Sequence, residues 1–514
     1  MRIILTFDHS SSFKGQSTPN TASGAKRLDL RHATRFNLCM KTPPIATALL
    51  ETIWAAAQGN PSLLARLRFN NEGELPSVYA VTDLAAASMG AAGLALAQLI
   101  DAITRLNPAT TSNNNGAPTT VTVDRRLASS WFGYSLRPEG WTPPSSDDFV
   151  MGDYQTTDGW IRLHTNAPHH RAAALRALKL STSSTRTEIV AAVAGWPADA
   201  LEAAVLAQNG CAATMRSWQA WQAHPQGQAV LSEPLLHWQE GAVIDTPAWA
   251  FNSARPLQGL KVLDMTRVLA GPSATRMLAG LGAEVLRVDP PWWDEPTLAP
   301  ETTLGKRCTR LDLREPAQRE QWIHLLGQAD IFVHGYRSDA LSALGLDAMQ
   351  RQKIRAGLID VSLDAYGFTG PWKHRRGFDS LVQMSMGIAE AGQRLTQANK
   401  PTPLPVQALD HATGYLLATA VLRGLETRLK TRRGSIARAS LARTGALLMN
   451  TLKPGGQLGE PLAPETAADL APTLEQTYWG PARRLHWPVE VTGVTMQWDQ
   501  PAGPLGSSEA TWRH

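Results

Sequence analysis

The chain has 514 residues, of which 43% are hydrophobic and 18% charged, with a net charge of +5 and a pI near 9.1. That length exceeds one compact core and predicts two to four domains. The sequence has no Lys/Arg run typical of nucleic-acid binding and no apolar run of about 18 residues that would cross a bilayer. Three scattered cysteines, Cys39, Cys211 and Cys308, exclude a disulfide framework or a zinc site and indicate a reducing cytoplasm.

The first part of the chain has a turn-rich start followed by helices. Residues 1–43 are rich in Ser and Thr, which predicts a disordered extension or a start placed too early, with Met40 as the true start; a transit peptide is the alternative. Residues 44–149 form a helical segment, with helices over 45–57, 61–67 and 83–104, a loop over 107–120 and a strand within 122–131. Asp83 has the position of an N-cap.

Residues 150–240 are predicted to form a small α+β domain. Asp158 and Gly159 stand between two alternating runs, which is typical of a β-hairpin over 151–165. Helices follow over 169–179, 185–195, 198–208 and 212–223. The stretch 240–257 has the composition of a linker.

Residues 255–400 are predicted to form a Rossmann-like parallel sheet domain, so the fold class is α/β with a small α+β domain and long connecting helices. Strand patterns over 261–265, 284–288, 330–334 and 358–363 alternate with helical patterns over 272–281, 316–326 and 339–345. Strands separated by helices imply right-handed crossovers. Residues 401–514 comprise Asp410, a helix over 411–430 and an irregular tail.

Two segments of the chain have a weak similarity to each other. Val81-Thr82-Asp83 opens an apolar helix and is followed later by Val123–Leu127, in the way that Ala408-Leu409-Asp410 is followed by Ala437–Leu441. This similarity indicates a rearranged or partial duplication, with chance similarity between Ala-rich helices as the alternative.

Three sites have competing interpretations from the residues alone. The loop Arg267–Gly271 lies between a strand and a helix, and Asp289 ends the next strand, as in dinucleotide-binding folds, but the Gly-x-Gly-x-x-Gly fingerprint is absent. His164, His169 and His170 lack metal-ligand spacing and are predicted to be structural or solvent-facing. An Asp near a helix start, such as Asp410, is usually a cap.

Several segments together resemble CoA-transferase family III, the formyl-CoA and carnitine CoA-transferase family. They are 256–275, 277–291, 305–313 and Gln-Ala-Leu-Asp-His-Ala-Thr-Gly-Tyr at 407–415. The resemblance implies CoA transfer between an acyl-CoA thioester and a carboxylic acid through Asp410, by an aspartyl mixed anhydride and an aspartyl-CoA thioester, without metal or prosthetic group. It also implies that Arg267, Gly271, Lys306 and Arg337 help bind coenzyme A.

The resemblance leaves alternatives open. Residues 363–371 resemble the family's Ser-Gly-Phe-Gly-x-x-Gly-Pro segment, and Phe378 stands where acyl-CoA racemases of the superfamily carry a proton-transferring His. The alternatives are therefore a racemase or a non-catalytic acyl-CoA-binding relative. The expected partners are acyl-CoA and acid substrates, with no nucleic acid and no membrane. The family's subunits interlock, so either a homodimer or one chain carrying both roles is expected.

Overall fold

A computed structural model of the chain describes residues 43–106, 118–145, 148–245, 249, 251–337 and 339–513. The predicted α/β class is confirmed, because helices surround a seven-stranded, mostly parallel sheet. The predictions for residues 1–42 and for most of the loop over 107–120 lie outside the described residues.

The described helices alternate with strands along most of the chain. They are α1 Pro44–Ala56, α2 Val81–Leu106, α3 Arg125–Trp131, α4 Pro168–Ala177, α5 Arg186–Ala194, α6 Ala198–Ala207, α7 Trp218–Ala223, α8 Pro225–Ser232, α9 Ala270–Gly280, α10 Ala299–Thr302, α11 Pro316–Gln328, α12 Ala348–Ile354, α13 Asp379–Ser385, α14 Ile388–Thr396, α15 Ala408–Thr431 and α16 Leu441–Met449.

The described strands form one large sheet and three small ones. They are β1 Leu67–Asn70, β2 Val121–Asp124, β3 Leu136–Pro138, β4 Gly152–Gln155, β5 Trp160–Leu163, β6 Ala212–Thr214, β7 His237–Val243, β8 Lys261–Met265, β9 Glu284–Asp289, β10 Lys306–Arg310, β11 Ile331–His334, β12 Ile359–Asp364, β13 Arg433–Ser440, β14 Glu475–Thr477, β15 Gly480–Arg484 and β16 Val489–Val491.

The large sheet has the order β10-β9-β8-β11-β12-β13-β7, with β7 antiparallel at one edge. Counted along the chain, its six parallel strands follow the order 3-2-1-4-5-6, which is that of Rossmann-like folds. Its central strands are short apolar runs with both faces covered, as parallel sheets require. Ligands of such sheets bind beyond the carboxyl ends of the strands, where the order reverses, and here that point lies between β8 and β11.

The large sheet extends beyond the boundaries predicted from the sequence. Strand β13 follows the helix that carries Asp410 and pairs with β12, so the sheet continues past residue 400. Strand β7 runs into the stretch predicted as a linker from residue 240, because its backbone pairs with β13. These pairings join segments far apart in the sequence, which local composition does not reveal.

Other predicted elements differ in type. The helix predicted over 212–223 is divided into β6 and α7, because β6 pairs with β5 of the hairpin and that pairing overrides the helix propensity of its alanines. The helix predicted over 339–345 is a turn with a 3-10 helix, Ser342–Leu344, that ends at Gly345 with φ of 72°. The tail predicted as irregular contributes β14, β15 and β16, which extend two small sheets.

Two parts of the chain have a related arrangement. Strands β1 and β2 are parallel, with α2 between them and α3 after them. Strands β12 and β13 are parallel, with α13, α14 and α15 between them and α16 after them. Helices α2 and α15 pack against each other. Asp124 caps α3 and Ser440 caps α16, so these two residues have equivalent positions in the structure. The similarity seen in the sequence had instead matched Ser440 with Arg126.

Helix α2 is long and apolar enough to pass a length-and-composition test for a membrane span. In this structure it is packed inside the protein, and core helices pass the same test. Its glycines let it lie close to the small sheet, since a Cβ at Gly93 would stand 2.8 Å from side chains of both Val121 and Val489.

Candidate active site

A cavity of about 390 Å³ opens at the carboxyl ends of the central strands. Its walls follow β8, β11, β12 and β13, and the small domain closes one side. The lining residues are His169, His170, Arg267, Val268, Ala270, Trp292, Trp293, Gly335, Tyr336, Arg337, Ala340, Leu363, Asp364, Ala365, Arg375, Arg376, Gly377, Phe378, Asp410 and Leu441. The cavity thus lies where the strand order reverses, the usual ligand position in such sheets.

Asp410 lies in the first turn of α15 and is 6% exposed. It lines the cavity, and it is not a cap, because Gln407 occupies the N-cap position without a side-chain hydrogen bond. Helix α15 approaches α9 at Gly414, where a Cβ would stand 2.3 Å from the carbonyl oxygen of Ala270. The missing side chain at Gly414 therefore lets the Asp410 turn lie beside the loop after β8.

A second buried carboxylate, that of Asp379, stands behind Asp410. The backbone N–H of Asp410 donates to Asp379 Oδ2 at 2.9 Å, and the Gln383 amide donates to Oδ1. Burial raises the pKa of Asp379 to about 6, opposed by these hydrogen bonds. Burial and the neighbouring Asp379 charge raise the pKa of Asp410 well above 3.8. A carboxylate with a raised pKa is a stronger base and nucleophile once it ionises.

Arg267 follows β8 and lies in an aromatic setting. Its guanidinium carbon stands 4.6 Å from the Trp293 ring centre and 4.8 Å from that of Tyr336, and it donates to the Tyr336 hydroxyl at 2.6 Å. The nearest carboxylate, Asp289, is 4.0 Å away. The aromatic rings fix the orientation of a cation that keeps donors for an anionic ligand.

The loop after β8 has a strained backbone, and hydrogen bonds to a buried carboxylate hold it in place. Val268 has φ of 64°, which a β-branched residue rarely adopts. Glu295 accepts the Val268 N–H at 2.7 Å and the Trp293 indole N–H at 2.9 Å, and it accepts from Arg287 at 2.8 Å. Strain that is fixed by surrounding contacts is a common feature of ligand sites.

The other three residues predicted to bind coenzyme A lie in three different environments. Arg337 lines the cavity and pairs with Asp339 at 3.4 Å while remaining half-buried. Lys306 does not line the cavity: its ammonium is buried and donates to Asp264 Oδ2 at 3.1 Å and to the Pro272 carbonyl at 3.0 Å. Gly271 is buried in α9, where a Cβ would stand 2.2 Å from the Thr266 side chain.

The structure therefore brings Asp410, Arg267 and Arg337 to one cavity and leaves Lys306 and Gly271 behind its wall. In this position Lys306 ties α9 to the sheet beneath the loop that carries Arg267. Gly271 permits the tight turn from β8 into α9. This difference could not be predicted from the sequence, because each of these residues stands in a segment that resembles the family.

The loop after β12 is anchored by helix α8 and the residue that follows it. Glu233 Oε1 accepts the backbone N–H groups of Phe368 and Thr369 at 2.9 and 2.8 Å. The Gln226 amide donates to the carbonyls of Tyr366 and Thr369 at 2.8 and 2.9 Å. The first half of the chain thus fixes the cavity loop that resembles the family's glycine-containing segment.

Sequence reasoning missed two histidines of the cavity. His169 and His170, predicted to be structural or solvent-facing, line the cavity, and burial lowers the pKa of His170 to about 3. Asp364 lines it as well, and burial raises the pKa of its carboxyl well above 3.8. His164 stacks on Phe378 with ring centres 3.8 Å apart. No sequence signal placed the small domain against β12, so its side chains could not be assigned.

The metal and dinucleotide interpretations find little support in this geometry. Among the described residues no group of three or more His, Cys, Asp or Glu side chains has the arrangement of a metal site. Asp289 is fully buried and accepts two hydrogen bonds from Arg287, at 2.8 and 3.1 Å. Its carboxylate therefore lacks the access that a ribose ligand would need.

Comparison with known proteins finds relatives for the part of the chain that carries most of the cavity walls. Residues 257–469 match CoA-transferase family III. Succinyl-CoA:glutarate CoA-transferase of Mus musculus is 33% identical over 196 residues, which are 36% of this chain and 44% of that protein. A probable fatty acyl-CoA transferase of Mycobacterium tuberculosis is 34% identical over 188 residues, 34% of this chain and 47% of that protein.

A crystal structure of a mycobacterial protein covers 39% of this chain and 59% of its own, at 33% identity and a TM-score of 0.35. The chain spans about half the length of the curated relatives it matches. The matched region carries β8 to α16, and with them Asp410, Arg267 and Arg337. Residues 257–469 of this chain are therefore similar to CoA-transferase family III.

Proposed function

We propose that the protein moves coenzyme A between an acyl-CoA thioester and a carboxylic acid, with Asp410 as the nucleophile. The observation that carries the proposal is the position of Asp410 in a cavity that also holds two arginines, Arg267 and Arg337. Relatives of the matched region are named as CoA-transferases. The proposal extends that chemistry to this chain.

The chemistry requires one carboxylate and no other reactive group. The Asp410 carboxylate attacks the thioester carbonyl, an aspartyl–acyl anhydride forms, and CoA leaves as a thiolate. The thiolate then attacks the aspartyl carbonyl, which gives an aspartyl-CoA thioester and releases the first acid. The acceptor carboxylate attacks that thioester to form a second anhydride and free the thiolate again. Attack of the thiolate on the acceptor's acyl carbonyl yields the new acyl-CoA and restores Asp410.

The side chains around Asp410 are suited to these steps. Arg267 and Arg337 are the cavity cations proposed to hold the nucleotide part of coenzyme A, so that the thioester lies within about 3–3.5 Å of the carboxylate. Asp410 is almost fully enclosed, which keeps water from the anhydride and the thioester. The buried Lys306 and Gly271 are proposed to shape this site rather than to contact the ligand.

The direct test is exchange of radiolabelled CoA between an acyl-CoA and a free acid. Asp410→Asn should abolish the exchange and leave the fold intact, because asparagine is nearly isosteric. Asp83→Asn is the matched control, since Asp83 lies in the equivalent turn of α2 and does not line this cavity. Full turnover by Asp410→Asn would refute the proposal.

Racemase chemistry is the less favoured alternative. Phe378 lines the cavity at the position of the proton-transferring His and is covered by the flat-stacked His164. A phenyl ring transfers no proton. We expect no deuterium incorporation at the α-carbon of 2-methylacyl-CoA above the buffer control, and incorporation would support the alternative.

A further inference from the structure

Glu295 connects the loop after β8 to an aromatic ring of the cavity wall. Its Oε1 accepts the backbone N–H of Val268 at 2.7 Å and the indole N–H of Trp293 at 2.9 Å. Its Oε2 accepts from the guanidinium of Arg287 at 2.8 Å. Glu295 is buried, so these hydrogen bonds are shielded from water and are stronger than they would be at the surface.

Both groups that donate to Glu295 Oε1 lie beside Arg267. Val268 follows Arg267 in the chain, and the Arg267 guanidinium carbon stands 4.6 Å from the centre of the Trp293 ring. One carboxylate oxygen therefore holds the backbone next to this cation and the ring over which the cation lies. Val268 has φ of 64°, and a strained residue keeps such a conformation only where surrounding contacts fix it. Glu295 thus supplies the contacts that keep Arg267 in its place.

The charges of this cluster indicate that Glu295 does more than neutralise a buried arginine. Arg287 already has a second carboxylate, because Asp289 accepts two of its hydrogen bonds at 2.8 and 3.1 Å. The two carboxylates are matched by two guanidiniums only when Arg267 is counted, whose Nε lies 4.0 Å from Asp289. Of the four side chains, that of Arg267 is 24% exposed and the others are buried. The cluster therefore presents one cation to the cavity, which Arg267 lines.

We propose that Glu295 is a positioning residue that acts through Arg267 to bind a phosphate of coenzyme A. Glu295 is not among the described residues that line the cavity, so its effect on the ligand is indirect. It fixes the guanidinium before the ligand arrives, which lowers the entropy lost on binding. The inference rests on the binding step of the proposed CoA-transferase function.

The test is a double-mutant cycle on the binding of coenzyme A, with Kd measured by isothermal titration calorimetry. Glu295→Ala should weaken binding roughly 10-fold, within the range that contacting residues show in such cycles. Arg267→Gln should weaken it at least as much. The variant with both changes should bind no more weakly than Arg267→Gln alone, because Glu295 then has no cation to position. Additive losses in the double variant would overturn the inference.

Two further variants separate positioning from folding. Glu295→Gln keeps an oxygen that can accept the Val268 and Trp293 N–H groups, so it should retain most of the affinity. Asp360→Ala also takes a buried carboxylate from an arginine, Arg351, at 2.8 Å, and neither is among the described lining residues. It should lower the melting temperature and leave the Kd for coenzyme A unchanged. Weaker binding by Asp360→Ala, or equal losses for the Gln and Ala variants of Glu295, would show that positioning is not the cause.

A variant that leaves the buried ion pair intact covers the case in which Glu295→Ala does not fold. Trp293→Phe keeps an aromatic ring beside Arg267 and removes the N–H that Glu295 accepts, so it should also weaken the binding of coenzyme A. An unchanged Kd in this variant, or in folded Glu295→Ala, would overturn the inference.

Binding and transfer are measured separately, which distinguishes the two proposals. Wild-type protein that binds coenzyme A, loses affinity in Glu295→Ala and transfers no CoA would refute the proposed function and leave the role of Glu295 intact. Wild-type protein with no affinity for coenzyme A would refute both.

Discussion

At the scale of single residues, the site depends on two buried carboxyl groups, and one of them, that of Asp379, accepts the backbone N–H of Asp410. Asp379 supports the backbone of Asp410, and burial together with the Asp379 charge raises the pKa of the Asp410 carboxyl. The nucleophile is the ionised form, so activity should rise as the pH passes upward through that raised pKa. The acid limb of kcat/KM therefore lies above the ordinary value of 3.8.

Replacing Asp379 tests this coupling. Asp379→Asn keeps an oxygen that accepts the Asp410 N–H and removes the negative charge, so the pKa of Asp410 should fall. We expect the acid limb of kcat/KM to move to lower pH, measured by CoA exchange across a pH series. An acid limb that stays in place, with activity otherwise retained, would show that Asp379 does not influence the nucleophile.

Asp83, the counterpart of Asp410 in α2, has a different environment. Its carboxylate is buried and pairs with Arg125 at 2.5 Å, both side chains being less than a tenth exposed. An Asp held by a guanidinium has its charge neutralised and is a poor nucleophile. This pairing explains why Asp83 is expected to stabilise the fold and to take no part in transfer.

The Asp83–Arg125 pair yields a stability prediction. Asp83→Ala leaves a buried guanidinium without its carboxylate, which should lower the free energy of unfolding by about 3–5 kcal/mol. Asp83→Asn keeps an acceptor and should cost less. Denaturant unfolding measures both, and the folded fraction of each variant should exchange CoA at the wild-type rate. A loss of turnover in folded protein would give Asp83 a direct role.

At the scale of elements, the contact between α15 and α9 sets the position of the nucleophile. Gly414→Ala would place a methyl group 2.3 Å from the Ala270 carbonyl, so the helices must separate. We expect a loss of about 1–3 kcal/mol in unfolding free energy, as overpacking produces, together with reduced transfer.

The matched control is Gly327→Ala in α11, where nothing lies within 4 Å of the new Cβ. Alanine there should be neutral or stabilise by about 0.5–1 kcal/mol, because glycine is unfavourable inside a helix. Thermal unfolding of both variants provides the measurement. Equal melting temperatures for the two variants would show that the helix contact tolerates the methyl group.

Elements with strong local patterns were predictable from the sequence. The four apolar runs of the sheet, the Asp158-Gly159 hairpin and the helix after Asp410 are all present. Strands β7 and β13 were missed because pairing across the sheet, and not their own sequence, makes them strands. The histidines of the cavity were missed because the packing of the small domain brings them to its wall. Asp379 was missed because its role comes from a hydrogen bond to the backbone of Asp410, 31 residues away.

At the scale of the whole molecule, both halves of the chain build the cavity. The small domain supplies His169 and His170, and Gln226 and Glu233 hold the loop after β12. Helix α2 packs on α15, and strand β7 forms the edge of the large sheet. The lining residues that the structure describes therefore come from both halves of one chain.

This arrangement predicts activity that does not depend on association. Specific activity should remain constant on dilution, whatever mass light scattering reports at each concentration. A specific activity that falls as the protein is diluted, in step with loss of a dimer, would show that a second chain completes the site.

The central claim is that Asp410 carries the covalent intermediates. The most direct measurement is incubation with an acyl-CoA, trapping with hydroxylamine, and peptide mass spectrometry across 407–415. We predict a hydroxamate or a chain break at Asp410 that is absent without acyl-CoA and absent in Asp410→Asn. Modification at Asp83 or at Asp379, with Asp410 unmodified during turnover, would contradict the claim.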